Sequence, residues 1–288
     1  MSRRNNMDRI GASQPDASPP PQTQGNASPL NFVAPTEFVE LPSNGVGYAE
    51  NHPLYNKDTI EIKYMTAKEE DILTSRTLLK KGIAIERLLD NLIVDKNIKA
   101  SQILVGDRNA IIIAARISGY GASYETQMQC PACGEKSYFS FDLNNQRIHQ
   151  SSLSEELDLY KTPDGLFVTK APLSGFEIKF KLLKGEDEDY LAKLMTNKAK
   201  SKMNDSVLTD QYKRMIVSIE NHTDQKIINQ FVDNMPTLDS RHLRACYRVA
   251  APDIKIIEEF TCSSCGFEEE VEVRSEEHTS ELQSPLDI

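Results

Sequence analysis

The sequence predicts an α+β protein organised around a cysteine module that is split into two distant halves. Three observations carry this. The pentapeptide CPACG at residues 130–134 recurs as CSSCG at 262–266, with 128 residues between Cys133 and Cys262. Each copy lies between segments whose apolar residues alternate with period two, the pattern of a half-buried strand. The remaining chain mixes one clear hairpin signal with several stretches of helical periodicity, the composition of an α+β fold.

The first 35 residues are Ser, Pro, Gln, Asn and Gly with almost nothing apolar, and are expected to be a disordered tail. An N-terminal strand-helix lobe is expected over 36–121. It opens with FVELPSNGVGYAENHPLY, a short strand and a Gly-rich loop, followed by DTIEIKYM, which alternates Ile60, Ile62 and Tyr64 inward. In TAKEEDIL, Thr66 with Glu69 three residues on is a capping box that starts a helix. Residues 83–94 carry apolar side chains at helical spacing. Asp107 is placed to cap a further helix whose AIIIAARI segment is apolar nearly all round and must therefore be buried. Gly119 and Gly121 end it.

The cysteine module follows over 122–143 and 255–273. In SYFSFDL, Phe139, Phe141 and Leu143 alternate with Tyr138, Ser140 and Asp142; in FEEEVEV, Phe267, Val271 and Val273 keep the same period, broken at Glu269. A strand, a CxxCG turn and a returning strand form a knuckle: the two-residue spacer lets both thiolates reach one ion, and the glycine permits the tight turn. One knuckle supplies half a tetrahedral site. Cys130, Cys133, Cys262 and Cys265 are thus expected to form a single four-cysteine zinc ribbon with a structural Zn2+ ion and no ligand position left open for a catalytic water. Two separate redox dithiols, an iron–sulfur site and degenerate knuckles are the competing readings. Cys246, in RHLRACYRV, has no partner at ligand spacing and reads as a small buried residue on a helix.

Everything between the knuckles, 144–254, reads as an inserted lobe of hairpin plus helices. LFVTKAPL and FEIKFKLL flank Ser174-Gly175, a hairpin signal, with Phe176, Ile178, Phe180 and Leu182 on one face. Helices are expected over 186–200, 209–219 and 224–233, then from Asp239 or Ser240 to 249. The segment RSEEHTSELQS within 274–288 matches, with one ordinary codon choice per residue, a sequencing adapter translated in frame, and is expected to be read-through rather than native chain. Its removal takes away one Arg and four acids and moves the formal charge from −10 to −7, still acidic.

The chain offers little chemistry. GxGxxG after a strand, GxxxxGK, HExxH and GxSxG are all missing from it. His52, His149, His222, His242 and His278 are scattered, with no partner nucleophile or carboxylate at helical or hairpin spacing. The EDED run at 186–189 reads as a charged first turn favoured by the helix dipole rather than a divalent-ion site. A non-enzyme is expected. No run of 18 or more apolar residues is present to cross a membrane, and no small-molecule site is indicated. The acidic balance opposes nucleic acid binding, although Arg241, His242, Arg244 and Arg248 gather on one helix.

Taken in order, VELPSNGVGYAENHPLY, YMTAKEEDILTSRTLLKKGIAIERLLDNLIVD, LVGDRNAIIIAARISGYGASYE, the CPACG knuckle, FVDNMPTLDSRHLR and the CSSCG knuckle resemble the base-plate protein family of contractile-tailed, T-even-type bacteriophages, over roughly residues 37–273. The resemblance implies a non-enzymatic hub or hub-assembly component. Its partners would be other baseplate or tail hub proteins, in the cytoplasm of the infected bacterium during assembly and in the virion tail baseplate. The alternative is a zinc-ribbon adaptor or regulator that binds nucleic acid or a host protein. Members tend to finish with an apolar, aromatic-containing strand after the second knuckle; here the adapter-like segment stands in that place.

Overall fold

The computed structural model describes residues 34–200 and 206–273; the expectations placed on 1–33 and 274–288 lie outside the described residues. Strand β1 (Thr36–Glu40) pairs antiparallel with β2 (Thr59–Lys63), and the period-two pattern buries Ile60 and Ile62 as expected. Tyr64 does not turn inward. The ladder ends at Lys63, so no strand covers Tyr64 and it stays exposed. The loop between the strands folds back tightly at Gly45, where φ is +72° and a Cβ would lie 2.3–2.6 Å from the backbone of residues 54–57, so only glycine fits.

Helices α1 (Ala67–Thr74), α2 (Arg76–Lys81) and α3 (Ala84–Leu92) follow. The Thr66–Glu69 capping box is formed, with Thr66 N–H donating to Glu69 Oε2 at 3.0 Å. α3 buries Ala84, Leu88, Leu89 and Leu92, the apolar stripe read from its spacing. α4 (Val105–Tyr120) is the central helix, with residues 106–113 and Ala115 all buried and Gly121 closing its C-terminus. Asp107 does not cap it. The residue lies inside the first turn, fully buried, and its carboxylate points to the Gly-rich loop instead: Ser43 N–H (3.0 Å), Ser43 Oγ (2.6 Å) and Tyr48 OH (2.7 Å) all donate to it.

β3 (Ser123–Gln129) and β4 (Lys136–Asp142) form one hairpin. β5 (Gln146–His149) leaves it and pairs with residues 253–256, much later in the chain. A four-stranded antiparallel sheet has the order β6-β7-β8-β9, from β6 (Tyr160–Lys161), β7 (Phe167–Lys170), β8 (Glu177–Phe180) and β9 (Ile216–Ile219). The expected hairpin is β7–β8, turning at Gly175 with φ +75°. Of its inward set, Ile178, Phe180 and Leu182 are buried, whereas Phe176 is partly exposed and rests edge-on against Phe231.

The helices of this region are α5 (Gly185–Lys200), α6 (Val207–Met215), α7 (Gln225–Asn234) and α8 (Thr237–Ala250), of which α6, α7 and α8 contact the sheet. The helix expected over 209–219 stops at Met215. Residues 216–219, the β-branched run IVSI, instead complete the sheet against β8, because an open strand edge next to β-branched residues outweighs the helical spacing. α8 also begins earlier than expected, with Pro236 in the cap position. Asp239 is buried and caps the β7–β8 turn rather than its own helix, accepting from Leu173 N–H (2.7 Å) and Ser174 N–H (3.0 Å). Within the EDED run Asp187 is not a solvated first-turn acid. It is fully buried and accepts from Lys181 Nζ (2.9 Å), Lys184 N–H (3.0 Å) and Arg214 Nε, so ion pairing rather than the helix dipole fixes it there.

β10 (Asp253–Thr261) runs between β5 and the last strand, β11 (Glu268–Val273), in a three-stranded antiparallel sheet. The larger of two apolar clusters among the described residues runs from Val39 through α3, α4 and the four-stranded sheet to Ile256. α4 is its axis. Gly106 on α4 lies so close to β10 that a Cβ would meet the Pro252 carbonyl oxygen at 1.9 Å, and Asn109 Nδ2 donates to Asp253 Oδ1 at 3.0 Å. The structure is therefore a mixed α+β fold with small sheets tied to one buried helix.

Candidate metal centre

The two CxxCG turns lie at the ends of the β3–β4 and β10–β11 hairpins and share one geometry. In the first, Cys130 N–H donates to Glu135 C=O and Gly134 N–H donates to Cys130 C=O, both at 2.9 Å. In the second, Cys262 N–H donates to Phe267 C=O (2.8 Å) and Gly266 N–H to Cys262 C=O (2.9 Å). Gly134 and Gly266 take φ +75° and +71°, the left-handed conformation that reverses the chain after the second cysteine. The repeat seen in sequence is a repeat in backbone.

The hairpins meet tip to tip. Cys130 Sγ is 3.7 Å from Cys265 Sγ, Cys133 Sγ is 3.7 Å from Cys262 Sγ, and all four sulfurs lie within 4.8 Å of one another. Tetrahedral ligation with metal–sulfur bonds of about 2.3 Å requires sulfurs roughly 3.7–3.8 Å apart, so the four can hold one metal ion. Cys130 and Cys262, the first cysteine of each turn, are buried; Cys133 and Cys265 face outward. Beneath them Phe260 is buried among Met128, Phe139, Phe267 and Val271, with Phe139 edge-on to it at 5.6 Å. A second tie is polar: Glu258 Oε1 on β10 accepts from Asp142 N–H (2.9 Å) and Asn145 Nδ2 (3.0 Å) beyond β4.

The electrostatics suit a cation. Backbone N–H groups of Cys265 and then Ser264 point at the Cys262 sulfur and pull its thiol down to about 7, favouring thiolate. At Cys265 the N–H of Phe267 acts in the same direction, but the crowding sulfurs, led by Cys133, push the thiol up to about 12. Four sulfurs this close cannot all ionise without a positive charge among them. A metal ion held among them would supply that charge.

The other sequence-flagged residues divide differently. Cys246 is fully buried on α8, as its helix position indicated. The histidines do not all lack a nucleophile at helical spacing: His242 stands four residues before Cys246, with Nε2 3.5 Å from the sulfur and 2.8 Å from Thr169 Oγ1. Thr169 Oγ1 donates to Leu157 C=O at 2.9 Å, and burial raises the Cys246 thiol, so the group is a satisfied buried network rather than an activated nucleophile. The i, i+4 spacing was the signal that could have found it. His52 stacks on Tyr48 in the Gly-rich loop and His149 Nε2 meets Arg248 C=O at 3.0 Å. No helix among the described residues is long and apolar enough to cross a membrane.

Fold and site together define a mixed α+β protein whose two distant hairpins converge on a four-cysteine cluster able to hold a metal ion. The family model described as T4 bacteriophage base plate protein matches residues 35–278, most of the chain. The chain belongs to that family, which gives it a structural role in the phage baseplate, alongside other baseplate proteins in the virion tail. Neither the curated proteins nor the solved structures contain a match.

Proposed function

We propose that this chain is a non-enzymatic component of the baseplate hub, structural or assembly-directing, that works through protein–protein contacts and is held by a structural zinc ion on Cys130, Cys133, Cys262 and Cys265. The family match over residues 35–278 carries the baseplate reading. The 3.7 Å cross-hairpin sulfur separations support the metal reading. Zinc is the choice among thiolate-loving metals because the set is all cysteine and closed, with the spacing of a tetrahedral structural site. On this reading the ribbon comprises 122–143 and 255–273, with 36–121 and 144–254 as the lobes on either side of the first hairpin.

Two measurements test it. Mass spectrometry of purified virions against infected-cell lysate should find the chain in tails or in hub-assembly intermediates. Its recovery only as a free protein or on nucleic acid would overturn the baseplate role in favour of an adaptor. Elemental analysis of the purified chain should give about one zinc per chain, lost when Cys130 and Cys262 are both replaced by Ser. Iron in its place, or disulfides within each CxxC pair and no metal, would remove the structural zinc.

A further inference from the structure

α8 has two opposed faces. Leu243, Cys246 and Ala250 pack into the core with Asp239, whereas Leu238, Arg241, Ala245 and Arg248, spaced i, i+3, i+7, i+10, lie on the far side with Arg244 beside them. Leu238 is 53% exposed and all three arginines are exposed. The arginines surround an open cleft of about 290 Å³ whose remaining lining residue is Ala245.

These guanidinium groups stand out in an acidic chain with 43 Asp and Glu against 33 Lys and Arg. Some cations elsewhere have carboxylate partners: Lys181 and Arg214 share Asp187, Arg108 meets Glu188, and Lys198 meets Asp210. Arg241, Arg244 and Arg248 make no ion pair among the described residues.

We propose that this outward face of α8 is a docking surface for an acidic amphipathic helix of a neighbouring baseplate protein, an inference that rests on the baseplate reading above. From Arg241 to Arg248 the helix rises about 10 Å, two turns, which matches carboxylates spaced i, i+3 or i+4, and i+7 on a facing helix. Arginine presents a planar fork that takes a carboxylate with two parallel hydrogen bonds, giving register as well as attraction. Ala245 has no bulk between the arginine arms, so a partner backbone can come close, and Leu238 offers an apolar anchor at one end. Nucleic acid fits less well. A stripe of three cations neutralises about three phosphates, while the net charge of −10 repels the rest of a long polyanion.

The test measures binding of the full-length chain to each purified baseplate protein of the same particle, and separately to a short DNA duplex, at low salt and at about 0.3 M salt. Arg241→Glu combined with Arg244→Glu should weaken one baseplate partner at least about tenfold while leaving the melting midpoint unchanged. Glu→Arg on that partner's facing helix should restore binding. Should the reversed variant fold poorly, the neutral pair Arg244→Gln with Arg248→Gln replaces it, with the same loss expected. Unchanged binding of either folded variant would overturn the α8 inference and leave the baseplate role standing. Loss of duplex binding alone would make the face a nucleic acid surface and overturn it too. A wild-type chain that binds no baseplate protein would sink the baseplate reading itself, and the docking face with it.

Discussion

Asp107 shows how one buried side chain can anchor a loop. Its carboxylate accepts from Ser43 N–H, Ser43 Oγ and Tyr48 OH, and Tyr48 OH in turn accepts from Leu104 N–H at 3.0 Å, so the Gly-rich loop is bolted to the start of α4. Among the described residues no cation shares the site; burial is the largest influence on the acid and raises its pKa, against the lowering effect of the three donors. Asp107→Ala leaves those donors buried without an acceptor and should destabilise the protein by on the order of 3 kcal/mol in chemical denaturation. The pH dependence has a definite sign. An acid whose folded pKa lies above its unfolded value adds stability that is full below the unfolded pKa and is lost as pH rises through the folded one. The melting midpoint of the wild type relative to Asp107→Asn should therefore fall as pH is raised from the acid side through neutrality. A difference that grows with pH would mean the hydrogen bonds, not burial, govern this carboxylate.

At the scale of elements, α4 and its contact with β10 organise the core. Gly106 sits where a Cβ would overlap the Pro252 carbonyl and crowd Asp253 Cα at 3.0 Å, and backbone cannot step aside as a flexible side-chain end can. Gly106→Ala, which raises helix propensity, should nevertheless lower stability by at least about 2 kcal/mol, read as an earlier denaturant midpoint. Stabilisation by that substitution would show that α4 and β10 are not in close contact. The sequence alone disclosed α4 as a buried helix, because apolar residues surround AIIIAARI on nearly every side, and disclosed the capping box at Thr66. It disclosed both CxxCG turns because their grammar is local. β9 stayed hidden, since the spacing over 209–219 reads equally as helix and only the free edge of β8, brought up by the fold, recruits Ile216–Ile219 into the sheet. Asp107 and Asp239 misled for a related reason: an Asp near a helix start reads as a cap, yet each serves a segment at least 59 residues away. The four-cysteine cluster was legible because pairing two half-sites needs only the repeat, whereas Glu258 bridging to Asp142 and Asn145 leaves no periodic trace.

Across the whole molecule, the proposed zinc would act as a clasp on a long excursion. The chain leaves the first hairpin after Leu143 and returns at Ile254, where β10 pairs with β5 through Ile254 and Ile148 before running out to the second CxxCG turn. Closing a loop of that length costs about 4 kcal/mol of chain entropy beyond a constant. The β5–β10 pairing, the Phe139–Phe260 contact and the Glu258 bridge offset part of this near the base of the hairpins. At the tips, the four sulfurs are the contact the metal would close, and structural zinc contributes on the order of 10 kcal/mol in small peptides. Cys262→Ser should therefore loosen both hairpins, including the one that carries Cys130 far away in sequence. Limited proteolysis and hydrogen exchange should show loss of protection over residues 123–142 as well as 253–273, and chelation of the wild type should reproduce the pattern. Binding to baseplate partners should weaken in parallel. If only the CSSCG turn becomes labile while the first hairpin stays protected, the two knuckles do not share an ion and the clasp is wrong.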